Sequence, residues 1–162
     1  MIAMYWVQGK QLTPQEALQQ IVDVSDYETK TYGDFYDTSD QDTIDRIFKG
    51  YFKYNNVEAK YNITADDITA QLAKGNLVLV PTNGRKLNNP FYTAPGPLQH
   101  MLVIKGYDSN TDEFITNDPG TKRGESYRYP VATVMDAIYD YPTGNNEPVM
   151  QIIKAMIIVR PQ

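Results

Sequence analysis

The stretch that decides the fold is residues 100–120, HMLVIKGYDSNTDEFITNDPG. An apolar run, His100–Tyr107, is followed by a short polar turn and by a second run, Glu113–Asn117. Two runs rich in β-branched and aromatic residues, joined by a short turn, predict a pair of antiparallel strands. The only histidine of the chain opens the first strand, and Asp118 follows the second.

The spacing of this hairpin predicts that His100 and Asp118 lie side by side. A turn centred near Ser109 places Ile104 opposite Phe114 and His100 opposite Asp118. Directly opposed residues have Cβ atoms roughly 4.5–5.5 Å apart, which lets an imidazole donate an N–H to a carboxylate. Such a carboxylate fixes the tautomer and orientation of a catalytic histidine. A slip of one residue would put the two side chains on opposite faces.

A structural interpretation of the same residues remains open at this point. A single histidine can be satisfied at a strand end without any chemistry, and Asp118 before Pro119-Gly120 is common turn chemistry. A His–Asp pair is also only two-thirds of a nucleophilic catalytic unit. Spacing by itself therefore does not decide between a site and a turn.

Outside the hairpin, helices come first and strands come later. Thr13, Pro14 and Glu16 form the signature of a helix start, and Thr64 begins another helix that stops at Gly75. The remaining elements predicted from apolar spacing are helices at Ser39–Tyr51 and Val131–Tyr139, strands at Val57–Tyr61, Leu77–Val80 and Met150–Val159, and loops at Asp26–Thr38, Thr82–Gln99 and Pro119–Tyr129. This order predicts an α+β fold rather than a parallel α/β sheet.

Composition excludes several classes of function. A length of 162 residues predicts one domain, residues 1–162. The net charge of −5 comes without a basic stripe, so we expect no nucleic-acid partner. No segment approaches the roughly 20 apolar residues of a membrane span, so none is expected in this chain. With no cysteine the chain has no disulfide and no thiolate metal site.

No metal or other cofactor is predicted. Asp108–Asp112 matches the first positions of a calcium-binding loop. The sixth position is Glu113 instead of glycine, and the twelfth is Pro119 instead of glutamate. The segment is therefore interpreted as a hairpin turn with solvated acidic side chains.

The hairpin resembles bacterial C39-like peptidases, which belong to the papain-like superfamily of cysteine peptidases. The resemblance rests on a histidine that opens an apolar strand ending in Gly-Tyr-Asp, followed by Asp-Pro after the next strand; here these are His100–Asp108 and Asp118-Pro119. Thr64–Val80 is also similar, and the resemblance spans Thr13–Pro161. It implies a papain-like fold with N-terminal helices followed by an antiparallel sheet, and hydrolysis of a peptide or protein substrate.

The resemblance also implies roles and an omission. His100 matches the general base and Asp118 the residue that orients it. In the family the nucleophilic cysteine starts a helix near the N-terminus, and a glutamine shortly before it helps to form the oxyanion hole. A methionine commonly follows that cysteine by about two helical turns. Met1 or Met4 of this chain matches that methionine, which would place both the cysteine and the glutamine before Met1. The resemblance therefore implies a domain incomplete at its N-terminus, with apolar surface covered by Met1–Val7 or by another copy in a homo-oligomer.

Three interpretations follow from the sequence. The first is a C39-like peptidase domain that lacks its nucleophile and is inactive as this chain. The second is a peptidase-like module that binds peptides or proteins without catalysis, and the third is an unrelated α+β binding protein. The substrate sequence is not specified. The compartment is open too, although the export of many standalone relatives favours a location outside the cytoplasm.

Overall fold

The computed structural model describes residues 6–161 of the chain. In chain order the elements are α1 (Pro14–Tyr32), α2 (Asp40–Asp42), a π-helix (Thr43–Tyr51), β1 (Val57–Tyr61), α3 (Ala65–Leu72), β2 (Leu77–Thr82), a 3-10 helix (Gly84–Leu87), β3 (His100–Asp108), β4 (Glu113–Asn117), β5 (Glu125–Pro130), α4 (Val131–Ala137) and β6 (Ala155–Val159). The described residues thus form an α+β fold, which confirms the predicted class.

The strands form one antiparallel sheet of six in the order β1-β6-β2-β3-β4-β5. Its central strands are apolar on both faces because helices cover both sides. One face packs with α3 and α4 and includes Val78, Val80, Leu102, Ile104, Met156 and Ile158. The other packs with the π-helix and includes Leu77, Leu79, Ile157 and Val159. This alternation along each strand fixes which side chains can reach which layer.

Two helix starts are capped as the sequence predicts. The hydroxyl of Thr13 accepts the Glu16 N–H at 3.3 Å, and the Glu16 carboxylate accepts the Thr13 N–H at 2.7 Å. Thr64 and Asp67 repeat this reciprocal pair at the start of α3, with 3.4 and 2.9 Å. Each capping box satisfies two backbone donors that the helix itself cannot pair.

The predicted loop Asp26–Thr38 is wrong over its first part, because α1 continues to Tyr32. The apolar period fades there, and Glu28 is the buried residue of the helix. The extension packs through rings instead: the Tyr27 ring lies 6.1 Å from Tyr32 and 5.4 Å from that of Tyr51. The helix ends at Gly33, whose φ of 95° favours glycine.

Three further element predictions need correction. Pro119–Tyr129 contains a strand, β5, which the alternation of Tyr127 and Tyr129 could have indicated. The predicted strand Met150–Val159 is shorter, since β6 begins at Ala155 and Met150 is 92% exposed. The predicted helix at Ser39–Tyr51 is mostly π-helical, and Phe52 N–H donates to the carbonyl of Ile47, five residues earlier, at 3.0 Å.

The predicted register of the β3–β4 hairpin is also wrong. Ile104 lies opposite Thr116, not Phe114, and a bulge at Lys105 shifts the pairing further toward the turn. Continued past Asn117, the observed register would place Asp118 opposite Leu102, two residues from His100. A two-residue shift keeps every side chain on its face, whereas a one-residue shift would not.

The N-terminal prediction falls mostly outside the described residues. Of Met1–Val7, the structure describes Trp6 and Val7, which are helical together with Gln8. Both pack against the face of the sheet that carries the π-helix. Within residues 6–161, no helix combines the length and apolar character needed to cross a membrane.

Candidate active site

His100 and Asp118 contact each other directly. The distance from His100 Nε2 to Asp118 Oδ1 is 2.8 Å, and the two side chains are 10% and 0% exposed. They are diagonal neighbours across the end of the hairpin, which lies within reach of long side chains. The proximity that the sequence predicts is therefore present, although the register that was to produce it is different.

The backbone around Asp118 makes a tight turn that aims its side chain toward His100. The Asp118 N–H donates to the carbonyl of Gly124 at 2.9 Å, which closes the loop between β4 and β5. A Cβ at Gly124 would lie 1.8 Å from the Asp118 carbonyl oxygen, so no other residue fits this approach. On the other side, the Thr82 hydroxyl donates to the His100 carbonyl at 2.9 Å and ties the start of β3 to β2.

The second carboxylate oxygen of Asp118 accepts three more hydrogen bonds. Asn89 Nδ2 lies 3.0 Å from Oδ2, the Tyr92 hydroxyl 2.7 Å and the Tyr129 hydroxyl 2.5 Å. Burial alone would raise the pKa of Asp118, but hydrogen bonds from the imidazole and the two tyrosines outweigh burial and hold that pKa below its ordinary value. Asp118 is thus ionised although its side chain is fully buried.

The two tyrosine hydroxyls keep their protons. Burial, and then the hydrogen bond to Asp118, raise the pKa values of Tyr92 and Tyr129 far above the ordinary value. Sequence reasoning missed Asn89 and Tyr92, since nothing in the spacing of the long loop marks them. Tyr129 is 2% exposed, and its hydroxyl donates to Asp118.

The contact with Asp118 decides the tautomer of His100. An ionised carboxylate only accepts, so Nε2 carries the proton in the neutral imidazole and Nδ1 carries the lone pair. Nδ1 makes no hydrogen bond with any residue that the structure describes. The arrangement therefore presents one basic nitrogen with a fixed orientation, backed by a negative charge that stabilises the imidazolium.

A cavity of about 390 Å³ lies beside His100. Leu79 and Met101 of the sheet and Phe48 of the π-helix line it, together with Glu28 of α1. Burial raises the pKa of Glu28 to about 7, with Arg46 opposing the shift. Among residues 6–161, no three His, Asp or Glu side chains are grouped so as to hold a metal ion.

The comparison with protein families matches residues 1–145 to the Peptidase_C39 like family. The chain belongs to this family. Its α+β architecture, with an antiparallel sheet and N-terminal helices, is compatible with a papain-like fold. The predicted resemblance is thereby confirmed, and the interpretation as an unrelated α+β binding protein is wrong. The search of curated proteins found no match to this chain.

Proposed function

We propose that this chain is the general-base part of a cysteine peptidase acting on peptide bonds. His100 is the base and Asp118 the residue that orients it. The observation that carries the proposal is the 2.8 Å contact from Nε2 to Asp118, which leaves Nδ1 without a hydrogen-bond partner among residues 6–161, on a side chain that lines a cavity. A thiolate, not a thiol, attacks a carbonyl carbon, so a base next to the thiol is what this chemistry requires.

In the proposed reaction Nδ1 takes the thiol proton and later returns it to the leaving amine. Asp118 stays ionised throughout and stabilises the imidazolium. The chain holds no cysteine, so the proposal takes the nucleophile from a segment outside these 162 residues. The cavity beside His100 supports this arrangement, because a side chain placed in it would contact His100 and cover the apolar side chains that line the space.

The test begins with the coding DNA before the Met1 codon. We expect an in-frame cysteine codon there, with a glutamine codon shortly before it. The protein expressed with that segment should hydrolyse peptides and lose at least about 100-fold in rate on His100→Ala, in line with typical general-base contributions. The matched control is Tyr107→Phe, on the same strand as the base but outside the cavity. Turnover that survives His100→Ala would overturn the proposal.

One observation favours a second function. Because the chain itself has no thiol, it can also serve as a non-catalytic module that binds peptides in the same cavity. This second function predicts no cysteine codon before Met1. It also predicts that His100→Ala, which removes a side chain lining the cavity, changes peptide affinity in a chain with no turnover.

A further inference from the structure

The Asp118 carboxylate is divided between two kinds of partner. Among residues 6–161, Oδ1 has His100 as its one side-chain partner, whereas Oδ2 accepts from Asn89, Tyr92 and Tyr129 at 3.0, 2.7 and 2.5 Å. Two donors already fix the rotation of a carboxylate, so three on one oxygen exceed what orientation requires. All three are neutral donors, and they draw negative charge toward Oδ2 without pairing it with a cation.

Two of these donors belong to the long loop between β2 and β3. Asn89 and Tyr92 form a turn within it, with Tyr92 N–H donating to the Asn89 carbonyl at 3.2 Å. The Asn89 amide also donates to the Tyr129 hydroxyl at 2.7 Å, which joins the loop to β5. The Tyr92 ring meets the His100 ring edge-on, with centroids 5.6 Å apart. Tyr92 therefore contacts both members of the pair.

Hydrogen-bond donors on a carboxylate weaken its effect on a neighbouring base. A carboxylate favours the protonated imidazole through its charge, and donors that stabilise that charge elsewhere reduce the attraction. The effect is strong here because the Asp118 side chain is 0% exposed and water does not screen it. The number of donors on Oδ2 therefore changes how readily Nδ1 binds a proton.

We propose that Asn89, Tyr92 and Tyr129 are positioning residues that act on His100 through Asp118, and that the loop carrying the first two sets the basicity of Nδ1. With the loop docked, part of the Asp118 charge is held at Oδ2 by the loop donors. With Asn89 and Tyr92 withdrawn, more of that charge faces Nε2–H, and the orientation of the carboxylate is less restrained. The role in catalysis rests on the proposed function; the effect on the imidazole does not.

The experiment uses the fact that His100 is the only histidine in the chain. Its ring C–H signals in an NMR titration report one imidazole without assignment. Tyr92→Phe keeps the ring against His100 and removes one donor from Oδ2. We expect the titration midpoint to rise by about 0.5 pH unit, because more negative charge then faces Nε2–H. Asp118→Asn should move the midpoint the other way, down by about 1 unit.

Tyr127→Phe is the matched control, because Tyr127 packs against Tyr129 with ring centroids 4.7 Å apart and lies outside the donor set. Its midpoint should stay unchanged. Other titratable groups near the imidazole could shift it too, and these line the same cavity: Glu28 of α1, Asp37 before α2 and Tyr141 after α4. The double variant Glu28→Gln/Tyr92→Phe shows whether the rise of the titration midpoint requires the Glu28 carboxyl. We expect the midpoint to rise in the double variant as well.

The direction of the shift separates the outcomes. A fall of the midpoint in Tyr92→Phe would mean that Tyr92 only holds the pair together, and it would overturn the inference. An unchanged midpoint in a folded variant would overturn it as well. If Tyr92→Phe does not fold, Tyr129→Phe removes another donor from Oδ2, and the titration midpoint of His100 should rise in that variant too. A rise in a protein whose extended form never hydrolyses peptides would defeat the proposed function and leave this inference standing.

Discussion

Two buried aspartates, in two regions of the molecule, have opposite electrostatic behaviour. Counted over the whole residue, Asp118, which follows β4, is 4% exposed, and Asp40, which begins α2, is 0% exposed. The pKa of Asp118 lies below its ordinary value because donors outweigh burial. Burial, and then the nearby charge of Asp140, raise the pKa of Asp40 to about 8. Burial therefore does not decide the charge of a carboxyl group in this protein.

The difference between the two sites lies in their hydrogen bonds. The oxygens of Asp118 accept four side-chain hydrogen bonds, counting His100. Neither oxygen of Asp40 has a partner among residues 6–161, and its own N–H donates to Asp140 Oδ1 at 3.3 Å. A buried carboxylate is tolerated only where donors replace water. The donors of Asp118 thus mark a charge that the fold maintains, whereas Asp40 is held neutral.

The largest effect is expected from Asp118→Ala. It leaves an imidazole and three donors without their acceptor in a buried region, which costs about 3–5 kcal/mol of unfolding free energy. Chemical denaturation at pH 7 measures the loss. His100→Ala should cost clearly less, because the carboxylate keeps its three other donors. If His100→Ala lowers the free energy of unfolding as much as Asp118→Ala, the donors on Oδ2 do not stabilise the carboxylate charge.

A gain in stability is expected from Asp40→Asn, and it depends on pH. The folded pKa of Asp40 is about 8 and the ordinary value is 3.8, so the folded state binds the proton more tightly. The stability that this tighter proton binding gives to the folded state is complete below pH 3.8 and is lost as the pH rises to 8. Removing the titration should therefore stabilise the protein by about 4 kcal/mol at pH 7 and very little at pH 4.

Thermal or urea unfolding at the two pH values measures this gain. Asp26→Asn, at an exposed position of α1, is the matched control and should show no pH-dependent gain. An equal effect of Asp40→Asn at both pH values would show that the charge of Asp40 is not the cause.

The smallest of the three effects is expected from Glu28→Gln. Burial raises the pKa of Glu28 from 4.5 to about 7, and Oε1 has no partner among the described residues. The pH dependence has the same direction as for Asp40. The stability contributed by protonated Glu28 is complete below pH 4.5 and falls as the pH rises to 7. We expect a gain of about 3 kcal/mol at pH 8 and none at pH 4. A gain as large as that of Asp40→Asn would mean that the number of oxygens without a partner does not set the cost.

Local signals in the sequence predicted the helix starts and the strands of the central sheet. The capping residues at Thr13 and Thr64 act within three positions of themselves, so no tertiary information is needed to find them. The extension of α1 to Tyr32 was missed because ring packing with Tyr51 holds it, not an apolar period. The strand β5 was missed because glycine and proline around it suggested a loop.

The candidate site was predictable only in part. The facing of His100 and Asp118 follows from two strands and a short turn, and it survived a register error of two residues because the side-chain period in a strand is two. A turn with one residue more or less would have separated them. No pattern in the sequence predicts the bulge at Lys105 or the close approach of the Asp118 carbonyl to Gly124.

The sequence by itself determined the α+β class, the capped helices and the pairing of one histidine with one aspartate, since each depends on residues close together or on strand periodicity. Only the tertiary structure decided that this aspartate stays ionised, because its donors come from 29, 26 and 11 positions away. The same holds for the cavity beside His100, whose walls come from α1, the π-helix and the sheet. Long-range packing, which local patterns do not encode, brought those groups together.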